Sequence, residues 1–460
     1  MTERFALFEQ KMRAAGLPDV AIASFRRAYQ TLVSGEKATL SEAELAPVGD
    51  VPDQTALPAA RAEGEAALAR TVVIKLNGGL GTSMGMTRAK SLLPVKDGHS
   101  FLDVTARQIV RLRARTGAAV PLVLMNSFRT HADSLAALAP YGKLSGSLPP
   151  DFLQHKVPRI LAADLTPVAW PREPEHEWCP PGHGDLYPAL QSSGLLAALL
   201  AGGYRTAFVS NADNLGAVLD PALLGWFVAS GAPFAMEVKE RSEADRKGGH
   251  LARTKDGRLV LRETAQCPPE ERQGFEDVKR WRFFNTNNLW IDLPALARAL
   301  AAAHGVLPLP VIRNEKPVDP ADPGSPRVIQ LETAMGAAIS LFEGARAVRV
   351  SEERFAPVKT TSDLLRVRSD AYRRDAEERV LPAPGGLGGA IDVELDGNFF
   401  RTVAQLDERT PHGPPSLVRC RRLVVRGDVR FGRGVVIEGD VTLEAPPGGR
   451  LDVPDGARIC

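Results

Sequence analysis

Thr71-Val-Val-Ile-Lys-Leu76 runs straight into Asn77-Gly-Gly-Leu-Gly-Thr-Ser-Met-Gly-Met-Thr-Arg-Ala-Lys90, and this stretch decides the fold. The β-branched apolar run reads as a buried parallel strand. Gly78, Gly79 and Gly81 directly after it let the backbone approach a ligand and point its N–H groups at it. Lys90 then adds a point charge to the same anion. The layout is that of a nucleotide-phosphate site. A flexible strand-to-helix turn is the competing reading of these glycines taken alone.

The better-known glycine-rich motifs do not fit. A Walker A loop needs glycine directly before its Lys-Ser pair, and here Ala89 precedes Lys90 and Ser91. The dinucleotide fingerprint fails at its third glycine, where Met84 stands.

Outward from this stretch, strands and helices alternate. Val120 to Met125 and Thr206 to Ser210 read as buried strands with polar loops at their C-terminal ends, and 104–115 and 190–200 read as helices. This is α/β organisation with a mainly parallel sheet, in which ligands bind beyond the carboxyl ends of the strands. Residues 1 to about 50 read as two helices with apolar stripes, Phe5, Phe8, Met12 and then Ile22, Phe25, Tyr29, Leu32. Near the C-terminus Val424-Val-Arg-Gly-Asp-Val429 recurs as Val436-Ile-Glu-Gly-Asp-Val441, a spacing of 12 residues. Short strands with glycine corners suggest a small β-helix or solenoid cap, a β-sandwich fragment being the alternative. A turn-rich stretch from Ala383 to Gly413 leads into it.

At 460 residues the chain exceeds one compact core, so two or three domains are expected. A net charge of +2 gives no electrostatic case for nucleic acid or an anionic membrane as partner. No apolar run approaches the roughly 18 residues that span a bilayer. Cys179, Cys267, Cys420 and Cys460 form no metal or redox pair by spacing, which fits a reducing, cytoplasmic compartment.

Several short motifs carry chemistry. Ser210-Asn-Ala-Asp-Asn-Leu-Gly216 follows a strand end, where Asp213 can hold a divalent metal and Asn211 can bond a sugar or ribose hydroxyl. Hard oxygen ligands shared with phosphates suit Mg²⁺. Pro180-Pro-Gly-His-Gly-Asp185 is a rigid loop presenting His183. Phe284-Asn-Thr-Asn-Asn-Leu-Trp290 sets amides before an apolar run, and sugar hydroxyls are suitable partners for them. Lys359, beside the hydroxyls of Thr360 and Thr361, and Lys247, beside Gly248 and Gly249, are further anion contacts. Alone, each motif also fits a turn, a structural loop or a solvated charge. The set holds phosphate, metal and hydroxyl partners without a covalent nucleophile, a combination suited to direct phosphoryl or nucleotidyl transfer.

Taken in order, LNGGLGTSMG, MNSF, FLQHKVPRI, PPGHGD, SNADNLG, DRKGGHL, FNTNNLW, QLETAMGAAI, PVKTTSDLL and finally GDVRFG resemble the UTP–glucose-1-phosphate uridylyltransferase family of the eukaryotic type, over about residues 70–445. The resemblance implies a Rossmann-like α/β nucleotidyltransferase domain at 51–370, an N-terminal helical segment at 1–50, and a linker with a C-terminal left-handed β-helix at 371–460. It implies UTP and glucose 1-phosphate as substrates, Mg²⁺ as cofactor, and UDP-glucose and pyrophosphate as products. By position, Leu76, Asn77, Gly78 and Gly79 would form the UTP loop, and Lys90 would meet the α-phosphate. Gln154 would read the uracil edge, Gly182 would support the base, and His183 would touch the glucose phosphate. Asn211 and Asp213 would serve sugar or ribose and Mg²⁺, Asn287 the glucose, and Lys359 the phosphates. The C-terminal part mediates oligomerisation in some relatives, so homo-oligomerisation through it is left open. The chain departs from many relatives in carrying Arg88-Ala89 where they have Gly-Pro before the lysine.

Other readings are weaker. The acetylhexosamine branch shows an Ala-Gly-Gly-x-Gly-Thr-Arg loop, and Asn77 and Ser83 stand here in place of its Ala and Arg. A broad enzyme that also accepts galactose 1-phosphate stays open. A silent nucleotide-sugar sensor would have no need of Lys90, Asp213 and Lys359 together.

Overall fold

Thr71–Asn77 is a strand buried at every residue but Leu76, as its β-branched run predicts. It lies in a computed structural model that describes residues 2–35, 39–387 and 391–460. The chain packs as two units interleaved in sequence. Unit one comprises Met1–Ile74, Ser147–Val209 and Asp220–Val350, and unit two comprises Lys75–Gly146, Ser210–Leu219 and Ser351–Cys460.

Unit one is built on a mixed sheet with helices. Its long strand Phe283–Asp292 runs antiparallel to Thr206–Asn211 and to Phe234–Glu240, while Phe234–Glu240 is parallel to Arg346–Arg349. Phe208 and Trp290, both fully buried, bring their rings to 4.6 Å at the centre of this sheet. The two N-terminal helices form as expected, at Thr2–Ala14 and Asp19–Ser34. Their stripes of Phe5, Phe8, Met12, Ile22, Phe25 and Tyr29 close over Val157, Ile160, Cys179, Ile329 and Leu331. The helix expected over 190–200 is two helices, Leu186–Ser192 and Leu195–Ala201, because Gly194 adopts a left-handed conformation (φ 76°) between them.

Unit two has its own core. Leu122–Asn126 is a fully buried strand, and the helix Phe101–Thr116 begins at a capping box made by Ser100 and Asp103. Lys75 Nζ reaches Ser210 Oγ at 2.8 Å, and Ala212 N–H donates to Leu76 O at 3.0 Å. Partners therefore advance together along Thr71–Asn77 and Thr206–Asn211, the sense of a parallel pair.

The end of the chain alternates between two parallel sheets. Asp392–Leu395, Ser416–Arg426, Val436–Glu444 and Arg458–Ile459 form one, and Asp428–Phe431 and Arg450–Val453 the other. The 12-residue recurrence is not the structural register. Asp428 pairs with Arg450 and Val436 with Arg458, both 22 residues on, while Val424 pairs with Thr442 and Asp392 with Arg422, 18 and 30 residues on. A 12-residue shift only carries the chain from one apolar rung segment to the next, which repeats the composition without repeating the position. Buried Val425, Val429, Phe431 and Ile437 from these strands, with Val435 just before one of them, share one core with Met84, Leu93, Phe101 and Leu364. Residues 388–390 of the turn-rich stretch lie outside the described residues. Among the described residues, no helix is long and apolar enough to cross a membrane.

Candidate active site

The carboxyl ends of three strands collect in unit two at Asn77, Asn126 and Asn211. After Asn77 the chain leaves the strand, and Lys90 N–H returns to donate to Gly79 O at 3.0 Å, closing the loop. Gly81 sits at φ 67°, and a Cβ there would lie 3.1 Å from Met86 Sδ and 3.2 Å from Lys90 Cγ. The glycine lets the loop fold over the lysine stem. Space beside Gly79 is open, as a ligand-facing backbone requires.

Lys90 Nζ stands 2.6 Å from Asp213 Oδ2, with both side chains partly exposed. The residues that the sequence assigns to phosphate and metal are therefore in direct contact. Asp213 is held in a turn in which Asn214 N–H donates to Asn211 O at 3.3 Å. The turn reading and the functional reading of Asn211 to Asn214 are thus compatible. Val358 N–H donates to Asp213 O at 3.3 Å, which places Lys359 one residue from the same turn. Lys359 is exposed, and its backbone N–H is fixed by Asp363 Oδ2 at 2.9 Å.

Asn77 closes the strand with its side chain turned inward. Its side chain is buried, and Nδ2 donates to Asn126 Oδ1 at 2.7 Å and to Ser134 Oγ at 2.8 Å. Both amide hydrogens are engaged, so what Asn77 offers a ligand is backbone.

Unit one carries the other expected residues. His183 Nδ1 accepts the Met335 N–H at 3.0 Å. Burial pushes the His183 imidazole down to about 4, so the ring is neutral near pH 7. With Nδ1 accepting, the single proton sits on Nε2, and His183 is an uncharged donor. Gly182, at φ 83°, has no room for a side chain, since a Cβ would fall 2.5 Å from Thr333 O.

Asn287 occupies a bulge. The register of Phe283–Asp292 against Phe234–Glu240 shifts between Glu237 and Val238, and Asn287 takes a left-handed φ of 59°. Asn285 and Asn287 bond each other through Oδ1 to N–H and Nδ2 to Oδ1, both at 2.9 Å. Asn288 turns inward, where Nδ2 donates to the buried Glu237 Oε2 at 2.9 Å. Of the three amides, Asn287 is half-buried while Asn285 and Asn288 are buried. Gln154 is half-buried, and Lys247 is exposed on its turn.

Sequence reasoning passed over supporting residues that stand inside the quoted motifs. Lys75, buried in an otherwise apolar strand, bonds Ser210 Oγ at 2.8 Å and Ala217 O at 2.7 Å. Asn214 Oδ1 accepts from Gly216 N–H at 3.1 Å and Ala356 N–H at 2.9 Å, tying the Asp213 turn to the Lys359 segment. His155 and Asp185 are paired at 2.8 Å. A lone charge within an apolar run was the available signal for Lys75; the others needed the fold.

The sequence profile of UTP–glucose-1-phosphate uridylyltransferases matches residues 22–438. The chain is similar to the UTP–glucose-1-phosphate uridylyltransferase of Solanum tuberosum, 42% identical over 400 residues covering 86% of this chain and 82% of that one. The Saccharomyces cerevisiae enzyme of the same name is 40% identical over 391 residues, covering 85% and 77%. Among solved structures, a variant of Leishmania major UDP-glucose pyrophosphorylase in complex with UDP-glucose superposes with a TM-score of 0.92 at 41% identity, covering 100% of this chain and 98% of that one. The Trypanosoma brucei protein gives 0.91 at 41% identity, covering 99% and 98%.

Proposed function

The chain belongs to the UTP–glucose-1-phosphate uridylyltransferase family, and we propose that it joins UTP and glucose 1-phosphate to give UDP-glucose and pyrophosphate, reversibly, by direct in-line transfer. The observation that carries this reading is the 2.6 Å contact of Lys90 with Asp213 beside the glycine-rich loop. A phosphate oxygen of glucose 1-phosphate attacks the α-phosphorus of UTP as the bond to pyrophosphate breaks, and no enzyme-bound intermediate forms. Negative charge grows on the α-phosphoryl oxygens and the leaving group. Lys90 and Lys359, placed around the Asp213 turn, are the cations that meet it.

The backbone of Leu76, Asn77, Gly78 and Gly79 cradles the UTP phosphates. Gln154 reads the uracil edge and Gly182 lets the base lie against its loop. His183 donates from Nε2 to the glucose phosphate, Asn287 holds a glucose hydroxyl, Asn211 bonds sugar or ribose, and Lys247 adds a peripheral anion contact.

Asp213 fits Mg²⁺. Among the described residues no group of three or more His, Cys, Asp or Glu could enclose a metal, and a single carboxylate suits an ion that takes its other ligands from phosphates and water. When bound there, Mg²⁺ supplies charge neutralisation to the transferring phosphoryl group.

The strands alternating between two parallel sheets support a left-handed β-helix within 371–460, after an N-terminal helical segment at 1–50 and a catalytic part at 51–370. The β-helix is the surface through which a homo-oligomer would form. Three of the four free cysteines are buried, in keeping with a reducing, cytoplasmic setting. Pyrophosphate release from UTP and glucose 1-phosphate, with Mg²⁺ and with EDTA, tests the reaction. Metal-dependent release with UDP-glucose as product is expected; UTP binding without any release overturns it.

A further inference from the structure

Asp185 is buried, and its two carboxylate oxygens are both engaged by one residue. Oδ2 accepts the His155 backbone N–H at 2.6 Å, and Oδ1 faces His155 Nδ1 at 2.8 Å. A carboxylate only accepts, so Nδ1 carries a proton. The ring is pinned at its other edge, where Nε2 lies 3.0 Å from Ser192 Oγ. The His155 N–H belongs to the Gln154–His155 peptide. Asp185 therefore fixes the peptide plane from which Gln154 projects.

The same carboxylate closes the Pro180 to Asp185 loop. Two residues before it stands His183, whose Nδ1 is held by Met335 N–H at 3.0 Å. Thr333 N–H donates to Pro181 O at 2.9 Å, and neither Gly182 nor Gly184 has space for a Cβ against Thr333. One buried carboxylate thus joins the loop bearing Gln154 to the loop bearing His183, and the second loop is itself clamped from behind.

We infer that Asp185, acting through His155, is a positioning residue that sets the pose of Gln154 and with it the enzyme's preference among pyrimidine nucleotides. This rests on the reading of Gln154 as the base contact. Neither Asp185 nor His155 needs to touch substrate for the effect. Charge-assisted, two-point hydrogen bonding gives orientation as well as strength, and small misplacements at a recognition group carry large kinetic penalties. In Asp185→Asn one of the two acceptors becomes a donor, so the charge-assisted two-point grip is lost and the peptide N–H keeps its acceptor only if the His155 proton moves from Nδ1 to Nε2.

Steady-state kinetics with UTP and with CTP, on Asp185→Asn, His155→Phe and His155→Asn, decides the matter. Asp185→Asn and His155→Phe are expected to raise the KM for UTP roughly tenfold or more, with kcat held within about threefold, and to narrow the preference for UTP over CTP. His155→Asn retains a side-chain N–H near the Nδ1 position and is expected to stay within about threefold of the parent. An unchanged UTP KM and an unchanged nucleotide preference in folded Asp185→Asn would overturn the inference. So would His155→Asn behaving like His155→Phe, or a fall in kcat alone, equal for both nucleotides. If Asp185→Asn does not fold, the two His155 variants carry the same test. Absence of pyrophosphate release by the parent protein would instead sink the reaction assignment.

Discussion

Lys90 Nζ and Asp213 Oδ2, separated by 123 residues of sequence, meet at 2.6 Å beyond the ends of two neighbouring strands. The ammonium and the carboxylate hold each other in place. Each therefore prepares the other's position. Lys90→Ala and Asp213→Ala are each expected to lower kcat by about 10²-fold, the scale of losing one preorganised charge partner. The double variant should lose less than the product of the two, because they act as a unit. Near-normal turnover in either folded single variant would remove the pair from the chemistry.

His183 should behave as a neutral donor. With its pKa pushed down by burial to about 4, the ring gains no charge at any pH above about 5. Nitrogen-detected NMR is expected to show the Nε2–H tautomer and a titration midpoint near 4. A midpoint near the ordinary histidine value would contradict the buried Nδ1 contact with Met335.

Asn287 and Asn288 make a paired comparison. Asn287→Ala removes a half-buried amide and is expected to raise the KM for glucose 1-phosphate by about tenfold with a small stability change. Asn288→Ala leaves Glu237 Oε2 without its 2.9 Å donor and should cost about 1–3 kcal/mol of stability instead. Urea unfolding beside kinetics reads both. If Asn288→Ala altered sugar binding and Asn287→Ala did not, the bulge would have been assigned the wrong role.

Acid should weaken the fold through His250. Burial, reinforced by Arg241 and Arg262, pushes its imidazole down from 6.5 to about 3. Between those values the unfolded chain binds a proton that the folded chain refuses, so stability is full above about pH 6.5 and falls as the pH drops toward 3. The melting temperature is expected to drop between pH 7 and pH 5, and to drop less in His250→Phe. An equal drop in both proteins would place the acid sensitivity elsewhere.

Local pattern was enough for the strand and loop at residues 71–90, for both N-terminal helices and for the turn that bears Asp213. Each is dictated by neighbours within a few residues. What stayed hidden depends on partners far along the chain. That the Asn77 side-chain amide donates to Asn126 and Ser134 follows from residues about 50 positions away, which no local pattern shows. The three amides between 285 and 288 looked equivalent because a bulge, which separates Asn287 from Asn288, arises from strand pairing and not from composition. The spacing of the C-terminal strands was misread for a related reason: similar residues recur on successive segments, whereas register follows the hydrogen bonds.

Unit two gathers segments far apart in sequence, and its core joins Met84, Leu93 and Phe101 to Phe431, Val435 and Val453. This has a consequence for synthesis. As the chain leaves the ribosome, the loop bearing Lys90 is made early, yet apolar side chains that bury its base, Phe431, Val435 and Val453 among them, are made long afterwards. The Asp213 turn likewise waits for Ala356 and Val358. Contacts that close such long loops form late and slowly. A nascent chain stopped near residue 350 therefore has neither these side chains over the base of the Lys90 loop nor the Ala356 and Val358 N–H groups that tie the Asp213 turn.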